Sequence, residues 1–183
     1  EDNRIHPILY QYFDLPAQAV AARAYICGLG LYHFELNGKK VGVEYLTPYC
    51  NAYDQWIQYQ TFDITDQLTV GPNLVSVMLG NGWYNPLPLR MWGRLNLREH
   101  LVVGRPRFIA QLEVELADGS RRRVVSDGSW RVSDGPIRRN SVYLGERYDA
   151  RHEVPGWDRP GLEAGSWRPA SLAAEPLGPL QAQ

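Results

Sequence analysis

A chain of 183 residues, 44% of them hydrophobic, is long enough for one domain with a substantial core. Its formal net charge of −1 gives no electrostatic case for nucleic acid or an anionic membrane as partner, and no run approaches the roughly 20 consecutive apolar residues of a membrane helix. With 17 Gly, 13 Pro, 11 Tyr and 6 Trp, the composition favours strands and loops over helices.

Residues 8–13 (ILYQYF) read as a first strand, closed by the turn at Leu15-Pro16. Residues 23–27 form a second, ended by Gly28-Leu29-Gly30. Residues 31–36 alternate with period two and run into Asn37-Gly38, the strongest short hairpin signal available, with 39–42 as the return arm. Residues 46–54 are a loop by their Pro, Asn and Asp, and 56–62 a strand by aromatic and β-branched content. Residues 63–68 suit a turn or a single helical turn, and Gly71-Pro72-Asn73 punctuates before the apolar run at 74–78. Residues 86–107 are irregular, and a long insertion in a compact domain is often functional. Residues 108–116 alternate, turn at Asp118-Gly119 and return over 121–126 as a second hairpin. Residues 130–132 and 142–144 are expected as short strands.

Short strands, Gly/Pro turns and no periodic helix beyond a turn or two predict an all-β sandwich. Residues 1–172 are read as that sandwich and 173–183 as a tail leading to a linker or a following domain. Cys27 and Cys50 are read as free thiols. The histidines lack metal-ligand spacing, no G-x-S-x-G elbow or P-loop is present, and Gly28-Leu29-Gly30 lacks the third glycine of a dinucleotide site.

The chain is organised around Leu79-Gly80-Asn81-Gly82-Trp83-Tyr84-Asn85. A strand delivers the backbone to two glycines, then to a flat aromatic, a phenol and carboxamides. A sugar ring needs such a set: an aromatic face for its C–H surface, and amides for its hydroxyls. The alternative is a strand-to-loop corner whose Trp83 caps the core.

Several segments in order resemble a known family: Leu36-Asn37-Gly38-Lys39-Lys40-Val41-Gly42, Leu46-Thr47-Pro48, Gln58-Tyr59-Gln60-Thr61-Phe62-Asp63-Ile64-Thr65, the corner, and Gly145-Glu146-Arg147-Tyr148-Asp149-Ala150-Arg151. Together they resemble the N-terminal β-sandwich module of bacterial α-L-rhamnosidases, over roughly residues 12–169. The corner and the GExYDAR segment are the specific pieces.

The resemblance implies a jelly-roll, galactose-binding-like sandwich ahead of an (α/α)6-barrel catalytic domain. It also implies a non-catalytic role, either binding L-rhamnose or a rhamnose-containing glycan with the help of Ca²⁺, or packing on the catalytic domain without touching sugar. Hydrolysis would then belong to the rest of the parent chain. The residues leave the compartment open, with a periplasmic or secreted location favoured over a cytoplasmic one. The chain departs from the family at Tyr49-Cys50, at Asn51-Ala52-Tyr53-Asp54 and after Tyr84.

The candidate ligand-binding residues are Asp54, Asn81, Trp83, Tyr84 and Trp92. Asn51, Asp54 and Asn85 offer oxygens to a calcium ion, which takes six to eight of them, although Asn and Asp in loops commonly bond their own turns. Glu146 and Asp149 raise the question of an acid pair, but an Asp149–Arg151 ion pair pinning the last strands is the expected role. The arginines at 121–123 are read as a solvated strand face.

Overall fold

The computed structural model describes residues 6–87, 90–91, 93–162, 165, 167–175 and 178–183. Its strands, in chain order, are β1 (Pro7–Leu15), β2 (Ala19–Leu29), β3 (Leu31–Leu36), β4 (Lys39–Lys40), β5 (Ile57–Asp63), β6 (Gly71–Gly80), β7 (Arg90–Met91) and β8 (Leu95–Asn96). They continue with β9 (Arg107–Leu116), β10 (Arg121–Val125), β11 (Arg131–Asp134), β12 (Ile137–Ser141), β13 (Gly145–Tyr148), β14 (Arg168–Pro169) and β15 (Leu180–Ala182). Three one-turn 3-10 helices, Thr65–Gln67, Leu97–Glu99 and Ala150–His152, are the helical content of the described residues.

Two large sheets face each other. One runs β14-β11-β1-β6-β3-β4 and the other β10-β9-β2-β5-β15. Pairing is antiparallel except for β15, which lies parallel along β5. The expected β-sandwich is therefore present, and the region at 173–183 contributes its edge strand β15.

The main core forms between the sheets, where Phe34, Leu36, Val75, Val77 and Leu79 of one meet Ile26, Leu112, Val114 and Leu116 of the other. Period-two alternation puts these residues on the inner faces. Trp130 seals this core, its indole N–H donating to Val125 O at 2.9 Å and its ring edge-on to Phe108. Strand β6 is buried on both faces. Its outward residue Leu74 joins Ile8, Tyr10 and Trp167 in a satellite core, with Met78 and Trp157 packed against it. That double burial explains why 74–78 reads as a continuous apolar run rather than an alternating one.

The turns follow backbone chemistry. Asn37 and Gly38 both take positive φ, 53° and 75°, as a tight hairpin between β3 and β4 requires. The second strand runs through Gly28 and Leu29, and the chain reverses at Gly30, where φ is 97° and an added Cβ would stand 2.5 Å from Gly80 O. Residues 142–144 correct the sequence expectation. They form the turn between β12 and β13, not a strand, although Val, Tyr and Leu favour strands by propensity.

Candidate functional site

The corner begins where β6 leaves the sheet at Gly80 and turns through Gly82, whose φ is 51°. Asn81 is fully buried. Its backbone N–H donates to Asn140 Oδ1 at 3.0 Å and its Nδ2 to Asn140 O at 3.1 Å, which ties the corner to β12. Asn81 Oδ1 accepts from Asn85 Nδ2 at 2.9 Å, and Asn81 O from the Asn85 backbone N–H at 3.0 Å. Asn85 is also buried, and its Oδ1 accepts from Arg98 Nη1 at 2.8 Å, the same nitrogen reaching Pro86 O. The 86–107 insertion thus folds back and clamps the corner through Arg98.

Tyr84 points inward. Its ring lies edge-on to Tyr53 at 4.8 Å, and its hydroxyl accepts from Arg107 Nη2 at 2.9 Å. Tyr53, Tyr84, Cys27, Leu29 and Ile57 form a small second core beneath the corner. Burial there pushes the Tyr53 phenol far above its ordinary pKa and the Cys27 thiol up to about 11.

Trp83 is half-buried, its ring standing edge-to-face at 5.2 Å and 84° to Tyr143 in the β12–β13 turn. Asp54 is exposed on the loop beside Tyr53. Of the five expected ligand-binding residues, Trp83 and Asp54 therefore lie at the surface, Asn81 and Tyr84 inside, and Trp92 outside the described residues.

Of the calcium candidates, Asn51 is buried. Its Oδ1 accepts from the Gln58 N–H at 3.2 Å and its Nδ2 donates to Tyr49 O at 2.9 Å. Calcium would have to share the Asn51 and Asn85 oxygens with these partners, and at Asn85 would stand close to the Arg98 guanidinium. Among the described residues no group of three or more His, Cys, Asp and Glu gathers as a cation site.

A cleft of about 240 Å³ adjoins the corner, between β3, the loop at 44–47 and the β12–β13 hairpin. Leu31, Met78 and Ile137 line it with apolar surface, while His33, Tyr45 and Glu146 bring polar groups. His33 Nε2 is 2.7 Å from Glu35 Oε1. Lys40 Nζ donates to Gly42 O and Glu44 O and lies 4.6 Å from the Tyr45 ring centroid, which fixes that loop. Beneath it, the Tyr32 and Thr47 hydroxyls both donate to Gln60 Oε1. Sequence reasoning missed Tyr45 and Tyr143 as neighbours of the corner, and it singled out Glu146 only as half of an acid pair with Asp149. Alternation along β3 puts His33 on the outer face, a signal that could have found it.

The acidic residues near the hairpin are engaged locally. Asp149 takes both Nε and Nη2 of Arg151, at 2.8 and 2.6 Å, which holds its carboxyl far below the usual range. The expected Asp149–Arg151 ion pair is thus present but joins residues only two apart, and the tie to the segment before β12 runs instead through the Asp149 N–H, which donates to Pro136 O. Glu146 is exposed.

Comparison with known proteins adds the lineage. The family profile described as the alpha-L-rhamnosidase N-terminal domain matches residues 17–183. An alpha-L-rhamnosidase of Streptomyces avermitilis is 37% identical over 179 residues, covering 92% of this chain and 17% of that protein. The solved structure of that organism's enzyme complexed with L-rhamnose superposes with a TM-score of 0.84 at 37% identity, covering 96% of this chain and 16% of that one. The alpha-L-rhamnosidase of Dictyoglomus thermophilum superposes with a TM-score of 0.85 at 35% identity, covering 98% of this chain and 19% of that one. The chain thus spans less than a fifth of the length of these relatives. With a profile match over nearly its whole length and relatives above 30% identity, the chain belongs to the α-L-rhamnosidase N-terminal domain family.

Proposed function

We propose that this chain is the non-catalytic, sugar-recognising domain of an α-L-rhamnosidase, and that hydrolysis of terminal L-rhamnose from plant polysaccharides or glycosides belongs to a catalytic domain elsewhere in the parent chain. The observation that carries this reading is the pairing of a locked corner with a cleft. Buried amides hold the corner rigid, Trp83 faces outward at a right angle to Tyr143, and a cleft of about 240 Å³ with apolar lining and polar side chains lies alongside. L-Rhamnose is a deoxy sugar, so its methyl group and C–H faces suit the apolar lining and the nearby Trp83 ring, and its hydroxyls suit His33 and Glu146 in the cleft, while the exposed Asp54 is not among the residues that line it. Asn81 and Tyr84 act as supports that fix Trp83 rather than as direct contacts. Pre-organisation of this kind lowers the entropy lost on binding.

Isothermal titration of the chain with L-rhamnose, once with Ca²⁺ and once with EDTA, tests the reading. Saturable heat that disappears in a folded Trp83→Ala variant is the expected result, and loss in EDTA alone would add calcium to the site. Flat traces with folded wild-type protein would overturn sugar recognition.

A further inference from the structure

Four large apolar side chains within seven residues face solvent: Val43, Tyr45, Leu46 and Tyr49 are 84, 81, 72 and 70% exposed. Isolated exposed apolar residues are ordinary, but a contiguous group on one loop marks an interaction surface. The loop is held, not slack. Lys40 ties Gly42 O and Glu44 O together, the Val43 N–H donates to Glu44 Oε2, the Tyr32 N–H donates to Thr47 O, and the Thr47 hydroxyl reaches Gln60. Leu46 is kept at φ 55°, a left-handed conformation that a branched apolar residue adopts only under constraint from its surroundings. The fold thus fixes the backbone and turns the hydrophobes outward.

Two observations bear on what would cover them. The matched stretch is only 16 to 19% of the length of the related rhamnosidases, so most of such a parent lies outside it. The Gln183 N–H bonds Tyr59 O, one residue before the Gln60 that holds Thr47, so polypeptide continuing past residue 183 would emerge beside this loop. We infer that the loop at 43–49 is the docking surface for a neighbouring domain of the same parent chain, with Tyr45, Leu46 and Tyr49 in its dry centre. This rests on the accessory-domain reading above and not on sugar binding, although Tyr45 and Leu46 also wall the cleft, so that a domain docked here would close that side of it.

Hydroxyl-radical footprinting of the full-length parent beside the 183-residue chain tests it, with Tyr12 as an exposed control. Oxidation of Tyr45, Leu46 and Tyr49 is expected to fall by about fivefold or more in the parent, as for the dry core of an interface, while Tyr12 is unchanged. Equal oxidation in both proteins overturns the proposal. So does protection in the 183-residue chain that grows with its concentration while the parent loop stays reactive, because a second copy is then the occupant. Protection in the parent alongside a flat rhamnose titration upholds docking and removes sugar recognition; reactive residues alongside saturable rhamnose binding do the reverse.

Discussion

Asn140 bonds Asn81 twice, its side-chain oxygen taking the Asn81 backbone N–H and its backbone oxygen taking the Asn81 amide. Only the first of these needs the Asn140 side chain. Replacing it by alanine leaves a buried N–H without its acceptor, a loss of about 1–3 kcal/mol. Asn140→Ala is therefore expected to lower the urea midpoint with little change in slope, and to weaken rhamnose heat because Trp83 loses its fixed frame. An unchanged midpoint would show that the corner does not depend on this bond.

Gly30 makes the tightest approach among the glycines, and makes it to backbone. With φ at 97° and Gly80 O 2.5 Å from where a Cβ would sit, alanine meets both backbone strain and a backbone clash. Gly30→Ala is expected to cost about 2 kcal/mol or more. Gly128, which has no atom within 4 Å of its added Cβ and no positive φ, is the control, and its alanine variant should melt near the wild type.

The two thiols should separate by reactivity. Cys27 is buried with its pKa pushed up to about 11, whereas Cys50 is exposed. Because the thiolate is the reactive species, an alkylating reagent near neutral pH should label Cys50 in the native chain and reach Cys27 only after unfolding. Peptide mass analysis reads this directly, and native labelling of Cys27 would contradict the packing around Tyr53.

Acid should destabilise the fold through a repeated device. Asp63, Asp118 and Asp127 each accept from the backbone N–H and hydroxyl of the residue two places on, Thr65, Ser120 and Ser129. These bonds hold all three carboxyls below their ordinary value of 3.8. A depressed folded pKa contributes stability above the unfolded value, and that contribution is lost as pH falls through the folded one. The melting temperature should therefore drop below about pH 4, and the drop should shrink in a variant carrying Asn at all three positions, leaving the share contributed by the Asp149–Arg151 pair.

Most of the architecture was legible because the signals were local. Asn37-Gly38 and Asp118-Gly119 specify their turns, and alternation over 108–116 and 31–36 specifies a buried and an outer face. Even the continuous run at 74–78 was legible as a strand, since burial on both faces leaves no alternation to find. The site was less legible because its determinants are distant in sequence. Asn81 draws on Asn140, 59 residues away, and Asn85 on Arg98, in an insertion with no periodicity. Tyr143 was misread for the complementary reason. Its strand propensity is real, but packing on Trp83 and the short connection between β12 and β13 place it in a turn.

The hairpin at Asn37 bears on how the protein ages. Asn-Gly sequences lose ammonia readily, because the glycine nitrogen can swing in on the asparagine carboxamide and close a succinimide. Here Asn37 Nδ2 donates to Gln67 O and Asn73 Oδ1, and its Oδ1 accepts from the Leu74 N–H. Closing the ring would mean giving up these three bonds, so the turn that joins β3 to β4 should resist slow chemical decay for as long as the fold persists.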